Sequence, residues 1–412
     1  MLFFAWGLAT VLIDTLIPKL KGLFSLNYAE AMLSQFAFFI AYLVVSVPAA
    51  ALLARIGYIR SIVVGLVVMA AGCLLFAPAA ASGVYWGFLG ALFVMACGIT
   101  TLQVAANPLI AIVGSPERSH SRLNLAQAFN SLGTFVGPFI GAAFILKGGV
   151  DTPDVARMSQ EALAAFRQAE AHNVQAPFVG IAAFLAVLAV IFWFLRRSAS
   201  APAAARNTTG LSSFRLLGQR PRLAFGVLGI FLYVGAEVAI GSLLVNYLME
   251  DRTIGATAET AGRLVAFYWG AAMVGRAIGS GVMLRAPAGL VLMTSAIGAA
   301  TLVVLSVSTS GWLAAGAILA IGLCNSVMFP TIFSLAIEGL GDETPQGSGL
   351  LCMAIVGGAV VPLATGALAD EIGLSLALLA PALCYICIAG YGLLAHKGRQ
   401  GLAAAPADAR AS

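Results

Sequence analysis

Charged residues are scarce in this 412-residue chain. Lys, Arg, Asp and Glu together make up 9% of it, whereas soluble domains carry about 25%. Hydrophobic residues make up 61%, and the mean hydropathy is +0.98. This balance leaves no segment for a separate soluble catalytic domain. The net charge of +5 comes from basic residues spread through loops, so no nucleic-acid partner is predicted.

Residues that carry enzyme chemistry are also sparse. The three histidines, His120, His172 and His396, lie far apart in predicted loops and support no metal site. All six cysteines fall in apolar stretches, and the C-x-x-C of Cys384 and Cys387 has no neighbouring His or acid. No P-loop or nucleophile cluster is present. We therefore expect neither an enzyme nor a bound cofactor.

Long apolar runs are what the chain has in abundance. A membrane helix needs about 17–25 mostly apolar residues. Twelve runs meet this requirement, and we expect an all-α membrane protein with twelve transmembrane helices. The predicted spans are 2–18, 31–54, 60–80, 84–113, 122–146, 175–195, 222–248, 260–284, 287–308, 311–338, 346–368 and 373–395.

One small, polar and basic segment divides these spans into two sets of six. It contains "SASAPAAARNTTG" and reads as a flexible linker over 197–221. The prediction is an N-terminal half of 1–196, a C-terminal half of 222–396 and a tail of 397–412. Most Lys and Arg fall on one side when the N-terminus is placed inside, so linker and both termini are predicted to be cytoplasmic.

Two acids lie well inside predicted spans, Asp14 and Glu237. A charged side chain at the centre of a membrane helix costs about 2.5–3.5 kcal/mol on insertion scales. Neither acid has an obvious basic partner at its depth. Burial favours the protonated carboxyl, so both acids are candidates for proton coupling. The alternative is a permanently neutral acid with a structural role.

Amides and aromatic residues recur on several spans. Buried Asn and Gln often only bridge helices, yet together with aromatic rings they also suit a hydroxyl-rich ligand such as a sugar. Other small polar solutes fit the same pattern. The predicted sugar-path residues are Trp6, Gln103, Asn107, Gln127, Asn130, Asn246, Asn325 and Phe329.

Basic residues mark corresponding places in the two halves. Arg55 and Arg60 flank a tight turn after the second span, and Arg276 and Arg285 occupy the matching stretch of the second half. A charge beside a short cytoplasmic turn usually sets orientation. A gating role is the alternative interpretation.

Several longer stretches make the chain recognisable. They are "DTLIPKLKGLFSLNYAEAMLSQFAFFIAYL", "LQVAANPLIAIVG", "RLNLAQAFNSLGTFVGPFIGA", "FLYVGAEVAIGSLLVNYL", "FYWGAAMVGRAIG" and "CNSVMFPTIFSLAIEGLG". In these the chain resembles the major facilitator superfamily and, within it, the fucose–galactose–glucose–proton symporter family. The resemblance implies a twelve-helix, alternating-access carrier with one central sugar site.

The resemblance also bears on particular residues. Asp14 matches the first-span acid that the fucose-transporting members use in proton coupling. Their fourth-span acid falls at Gln103, while Glu237 stands where they carry Gln. Gly241 replaces a tryptophan of the fucose type, and Ile13 replaces an Asn that commonly precedes the acid. The pattern is similar to the glucose/galactose subgroup, and Trp6, Gln127 and Asn130 match positions that line the family's sugar cavity.

The expectation is a multi-pass bacterial inner-membrane importer of a hexose, glucose or galactose, coupled to protons. It would act as a monomer in the lipid bilayer. Four alternatives remain open: a sodium-coupled symporter, a passive uniporter, an L-fucose transporter and a non-transporting sugar sensor.

Overall fold

A computed structural model describes residues 1–11, 28–82, 84–144, 159–196 and 213–404, and the regular elements in these ranges are helices. The α-helices are α1 (Leu2–Val11), α2 (Tyr28–Ile56), α3 (Tyr58–Ser82), α4 (Tyr85–Ile112), α5 (Ser119–Phe144), α6 (Gln160–Leu195), α7 (Arg215–Gln219), α8 (Pro221–Met249), α9 (Ala258–Val282), α10 (Ala288–Ser308), α11 (Gly311–Asn325), α12 (Met328–Ile337), α13 (Thr344–Met353), α14 (Gly357–Ile372), α15 (Leu374–Ala377) and α16 (Leu379–Ala404). Short 3₁₀ turns occupy Pro116–Arg118, Gly341–Glu343 and Ala354–Val356.

In their described residues, all twelve predicted spans contain helix. In the described part of the chain, nine segments are long and apolar enough to cross a bilayer. The other three predicted spans correspond to α1, which is described only as far as Val11, and to α5 and α9, which carry more polar residues. An all-helical chain suits a membrane because each helix satisfies its own backbone hydrogen bonds. The predicted all-α membrane class is confirmed.

Four of the predicted spans differ from the observed helices, and two of these, 346–368 and 373–395, are each divided, into α13 and α14 and into α15 and α16. α6 begins at Gln160, well before the predicted start at 175, because the helix formers between Glu161 and His172 continue the same helix. The tenth predicted span is two helices, since α11 ends at Asn325 and α12 begins at Met328.

The chain forms two compact units. Unit 1 contains Met1–Leu109 and Phe129–Gly210, and unit 2 contains Ile110–Ala128 and Leu211–Ser412. Ile110–Ala128 belongs to the same compact unit as the later helices, so the two units do not follow the order of the chain. The predicted halves of 1–196 and 222–396 stay a prediction.

The core of unit 1 is built from apolar rings and from backbones in close contact. Phe76 of α3 packs on Phe178 of α6, with ring centroids 4.4 Å apart, and on Phe88 of α4 at 6.1 Å. Gly98 of α4 faces the backbone of Met69 so closely that a side chain there would clash. Small residues of this kind let membrane helices approach each other.

Unit 2 includes the start of α5, which is held by side-chain hydrogen bonds. Ser121 donates from Oγ to the carbonyl of Ser280 at 2.8 Å, and Ser280 donates from Oγ to the carbonyl of Ser121 at 3.0 Å. The His120 ring pairs through Nδ1 with Ser334 Oγ at 2.7 Å. These buried contacts join Ile110–Ala128 to α9 and α12 within one unit.

Candidate functional site

The candidate site lies around the break in the tenth predicted span, between α11 and α12. Pro330 has no backbone N–H, so the carbonyl of Ser326, four residues earlier, receives no hydrogen bond from the next turn. Arg276 of α9 donates from Nε to this carbonyl at 3.1 Å. A side chain of a neighbouring helix thus satisfies a backbone group that the proline leaves open.

Asn325, the last residue of α11, is held on two sides. Tyr233 of α8 donates from its hydroxyl to the backbone carbonyl of Asn325 at 3.1 Å. The Asn325 amide donates from Nδ2 to the hydroxyl of Tyr268 at 2.8 Å. Its Oδ1 is buried and has no hydrogen-bond partner in the described structure. The side chain is therefore fixed while one acceptor stays available.

Glu237 lies one helical turn after Tyr233 on α8. The hydroxyl of Tyr233 is close to its carboxyl group, and the positive charge of Arg276 interacts with it. The residue is partly exposed, yet its Oε1 is buried and makes no hydrogen bond within the described residues. The expectation that Glu237 lacks a basic partner at its depth stays a prediction.

Aromatic rings surround these polar groups. The centroid of Phe329 is 6.5 Å from that of Tyr233 and 6.0 Å from that of Phe333. Tyr385 of α16 is fully buried beside Asn325, and its hydroxyl has no hydrogen-bond partner among the described residues. The rings make the surroundings of these polar atoms largely apolar.

Two glycines make this arrangement possible. A side chain at Gly322 of α11 would clash with the carbonyl oxygen of Tyr268, and one at Gly275 of α9 would clash with Ser326. Because both positions lack a side chain, α9 and α11 approach closely. This approach brings Arg276 to the Ser326 carbonyl and Tyr268 to the Asn325 amide.

Three buried polar atoms in this cluster are unsatisfied: Glu237 Oε1, Asn325 Oδ1 and the Tyr385 hydroxyl. In native proteins the great majority of buried polar groups have a partner. The Glu237 and Asn325 oxygens accept hydrogen bonds, and the Tyr385 hydroxyl can both donate and accept. A ligand that carries several hydroxyl groups matches this set. Among the described residues, no group of three or more metal-ligating side chains is present.

The sequence matches the model of the Major Facilitator Superfamily over residues 1–362. The chain belongs to this superfamily. A glucose/galactose transporter of Brucella abortus biovar 1 (strain 9-941) is 51% identical over 399 residues, which cover 96% of this chain and 93% of that protein. The L-fucose-proton symporter of Escherichia coli (strain K12) is 34% identical over 402 residues, covering 94% and 90%.

A solved structure has the same fold. It is FucP, a major facilitator in the outward conformation, with a TM-score of 0.87, 32% identity and coverage of 96% of each chain. The resemblance to the fucose–galactose–glucose–proton symporter family is confirmed. Membership of this family of transporters also confirms the expectation that the chain is not an enzyme.

In this facilitator, the predicted polar residues of unit 1 make contacts inside the unit. Gln103 of α4 donates from Nε2 to the hydroxyl of Tyr42 at 2.8 Å. Asn130 of α5 donates from Nδ2 to the carbonyl of Phe3 at 3.1 Å. The ring of Trp6 packs on Phe3 with centroids 4.2 Å apart. Asn107 is fully buried.

The remaining predicted site residues are Asp14, Gln127 and Asn246. Asp14 is outside the described residues. Gln127 is buried in the first half of α5, in unit 2. Asn246 is exposed near the end of α8. Their assignment to the sugar path stays a prediction.

The four predicted gating or orientation arginines fall into two groups. Arg55 and Arg60 are exposed on either side of Gly57, which has a φ of 81°, and Arg285 is exposed just after the end of α9. Arg276 is half-buried within α9 and contacts the interrupted span. Arg276 therefore differs from the other three arginines, which are exposed.

Sequence reasoning missed Tyr268 and Tyr385 as parts of the site. Both lie in apolar runs and read as ordinary core residues. The available signal was their hydroxyl group, because a buried tyrosine normally needs a hydrogen-bond partner. Which helix supplies that partner is not visible in the sequence.

Proposed function

We propose that this protein imports a hexose, glucose or galactose, in symport with protons by alternating access. The observation that carries the proposal is the cluster of unsatisfied buried polar atoms at the interrupted tenth span, which contains an ionisable carboxyl. The relatives named glucose/galactose transporter and L-fucose-proton symporter support it.

The cluster in unit 2 has the chemistry of a sugar subsite. Glu237 and Asn325 offer acceptors for two sugar hydroxyls, and Tyr385 offers a group that can donate or accept. Phe329 supplies an apolar ring against which the C–H face of a sugar can pack. The predicted sugar contacts in unit 1 stay a prediction.

The space beside Gly241 favours glucose or galactose over L-fucose as the substrate. A Cβ at Gly241 would lie 3.4 Å from Cζ2 of Trp269. The indole of α9 therefore stands next to the position at which the fucose type is expected to carry its own tryptophan. Two large rings would compete for this space, so the two subgroups need different pockets.

We assign proton coupling to Asp14 as the principal carrier, with Glu237 as the second acid. An intramembrane carboxyl that takes up a proton from one side and releases it to the other couples transport to the proton gradient.

In this proposal the protein is a monomer in a bacterial inner membrane. Its halves are 1–196 and 222–396, the 197–221 linker and 397–412 tail are cytoplasmic, and so are both termini. Arg55, Arg60 and Arg285 mark the cytoplasmic side.

Uptake into proteoliposomes tests the proposal. Wild-type protein should accumulate D-glucose or D-galactose when the outside is acidic, and Asp14→Asn should lose uphill uptake while retaining sugar exchange. Accumulation that follows a sodium gradient would establish sodium coupling instead, and exchange without any accumulation would establish a uniporter. Absence of counterflow with every hexose tested would refute transport and favour a sensor.

A further inference from the structure

Trp269 of α9 is exposed on a different side of the helix from a stripe of apolar residues. Phe267, Val274 and Ile278 are exposed and follow one another at spacings of seven and four residues, so they form this stripe. Trp269 comes two residues after Phe267, and side chains two apart on a helix point in different directions. Its surface, which is 42% exposed, therefore lies away from the stripe that suits lipid.

The side of α9 that carries Trp269 also carries Arg276. The two residues are seven apart, which is about two turns of an α-helix. Arg276 is half-buried and donates to the carbonyl of Ser326 at the interrupted tenth span. Polar side chains of membrane helices face the bundle interior or a cavity. The exposed surface of Trp269 therefore lies on the side of α9 that faces the candidate site.

The indole of Trp269 reaches the neighbouring helix α8. A Cβ at Gly241 would lie 3.4 Å from its Cζ2 atom, so the ring edge stands beside a stretch of backbone that has no side chain. Gly241 comes one turn after Glu237, on the same side of α8. The indole is thus next to the helix face that carries Glu237, whose Oε1 makes no hydrogen bond among the described residues.

Tyr268 packs against the same indole. The two rings meet edge to face, with centroids 5.1 Å apart and an interplanar angle of 84°. Tyr268 is fully buried, and its hydroxyl accepts a hydrogen bond from the amide of Asn325. The indole therefore adjoins the residue that orients Asn325, one of the proposed sugar ligands.

We propose that Trp269 is a sugar-contacting residue, and that the C–H face of a bound hexopyranose packs on its indole. The inference rests on the proposed hexose transport and adds a residue to its site. A hexopyranose has hydroxyls at its rim, which Glu237 and Asn325 can receive, and an apolar C–H face that suits an exposed indole. Gly241 then decides whether the indole can lie there, because a large side chain at that position displaces the ring.

Replacement of the ring tests the contact. Binding of D-glucose and D-galactose to the purified protein is measured by calorimetry. Trp269→Leu removes the aromatic face and keeps an apolar side chain, so affinity should fall by about three- to tenfold, whereas Trp269→Phe should lose less than about threefold. Phe267→Leu is the matched control, because it removes an exposed ring from the apolar stripe of the same helix. Its affinity should match wild type.

A double-mutant cycle tests the part of Gly241. Gly241→Leu should lower affinity by about three- to tenfold in the wild-type background, and by less than about twofold when Trp269 is already Leu, because the ring that it displaces is then gone. Gly241→Ala should keep the wild-type affinity, because its Cβ would stand at an ordinary contact distance from the indole. Equal losses from Gly241→Leu in both backgrounds would show that this position acts without Trp269.

Hydroxyl-radical footprinting measures the contact directly, because mass spectrometry locates each oxidised residue. Saturating D-glucose should lower the oxidation of Trp269 in the wild-type protein relative to that of Trp312, which is exposed at the start of α11. A tryptophan that only packs against its own helices would show no such protection. Radicals that the sugar itself consumes lower the oxidation of both residues alike, so the ratio is unaffected.

Either of two results would overturn the inference. One is a Trp269→Leu variant that binds both hexoses as tightly as wild type. The other is a ratio of Trp269 to Trp312 oxidation that D-glucose leaves unchanged, and this result is decisive even if Trp269→Leu fails to fold. A wild-type protein that binds and moves no hexose would instead remove the proposed function, so the two failures are distinguishable.

Discussion

The two units fill their cores with different aromatic residues. Among the largest fully buried side chains, unit 1 has three phenylalanines, Phe76, Phe88 and Phe178, and one tyrosine, Tyr42. Unit 2 has four tyrosines, Tyr233, Tyr247, Tyr268 and Tyr385, and one phenylalanine, Phe333. A phenylalanine ring needs only apolar neighbours, but every buried tyrosine brings a hydroxyl that needs a partner. Unit 2 therefore builds its centre around polar contacts that unit 1 has less need to make.

The difference extends to the amides. In unit 1, Gln103 and Asn130 donate to protein oxygens, those of Tyr42 and Phe3. In unit 2, Asn325 donates to Tyr268, but its Oδ1 and the Oε1 of Glu237 make no hydrogen bond among the described residues. Hydrogen bonds within the protein stabilise a fold, while fixed polar groups without a partner are ready to bind a ligand. This contrast predicts that equivalent changes affect stability in unit 1 and sugar binding in unit 2.

The largest expected effect comes from adding a side chain at Gly322, where α11 approaches α9. A side chain there meets the Tyr268 carbonyl, so Gly322→Val should separate α9 from α11 and move Arg276 and Tyr268 away from their partners. We expect D-glucose binding to fall by more than about tenfold, since overpacking costs roughly 1–3 kcal/mol. Calorimetry on the purified variant measures the affinity, and a thermal melt measures its stability.

Two glycines supply the comparison for that experiment. Gly316 on the same helix faces open space, so Gly316→Val should keep both affinity and stability. Gly98 of unit 1 faces the Met69 backbone as closely as Gly322 faces Tyr268. Gly98→Val should lower the melting temperature while the folded protein keeps its affinity. A loss of affinity as large as that of Gly322→Val would contradict the contrast between the units.

A smaller effect is expected from removing one hydroxyl in each unit. Tyr268→Phe takes away the acceptor that orients the Asn325 amide, and Tyr42→Phe takes away the acceptor of Gln103. A hydrogen bond contributes about 0.5–1.5 kcal/mol, so Tyr268→Phe should weaken sugar binding by about three- to tenfold. Tyr42→Phe should lower stability by a similar energy and change affinity by less than about threefold. Titration with D-galactose measures the affinity of both variants. If Tyr42→Phe loses as much affinity as Tyr268→Phe, Gln103 and Asn325 contribute equally to sugar binding.

Much of the fold was predictable from hydropathy, because each bilayer-spanning helix must be long and apolar whatever its neighbours are. The acid at Glu237 and the amide at Asn325 were also visible, since a polar residue in such a run stands out. Arg276 was interpreted, with Arg285, as the second-half counterpart of Arg55 and Arg60. It donates to the carbonyl of Ser326, just after α11, and this approach depends on the absent side chain at Gly275. Contacts between helices of this kind leave no periodic pattern in a single sequence.

The smallest expected effect comes from restoring a backbone donor at the interruption. Pro330→Ala supplies an N–H that can bond to the Ser326 carbonyl and compete with Arg276 for it. We expect thermal stability to rise or stay unchanged, while proton-driven D-glucose uptake falls by about threefold, the scale of half a hydrogen bond's net contribution. Pro48→Ala is the unit 1 counterpart, because α2 runs through Pro48 without interruption. Its uptake should match wild type. If both variants lose uptake equally, the interrupted tenth span has no special link to transport, and the two units respond alike to a proline in a helix.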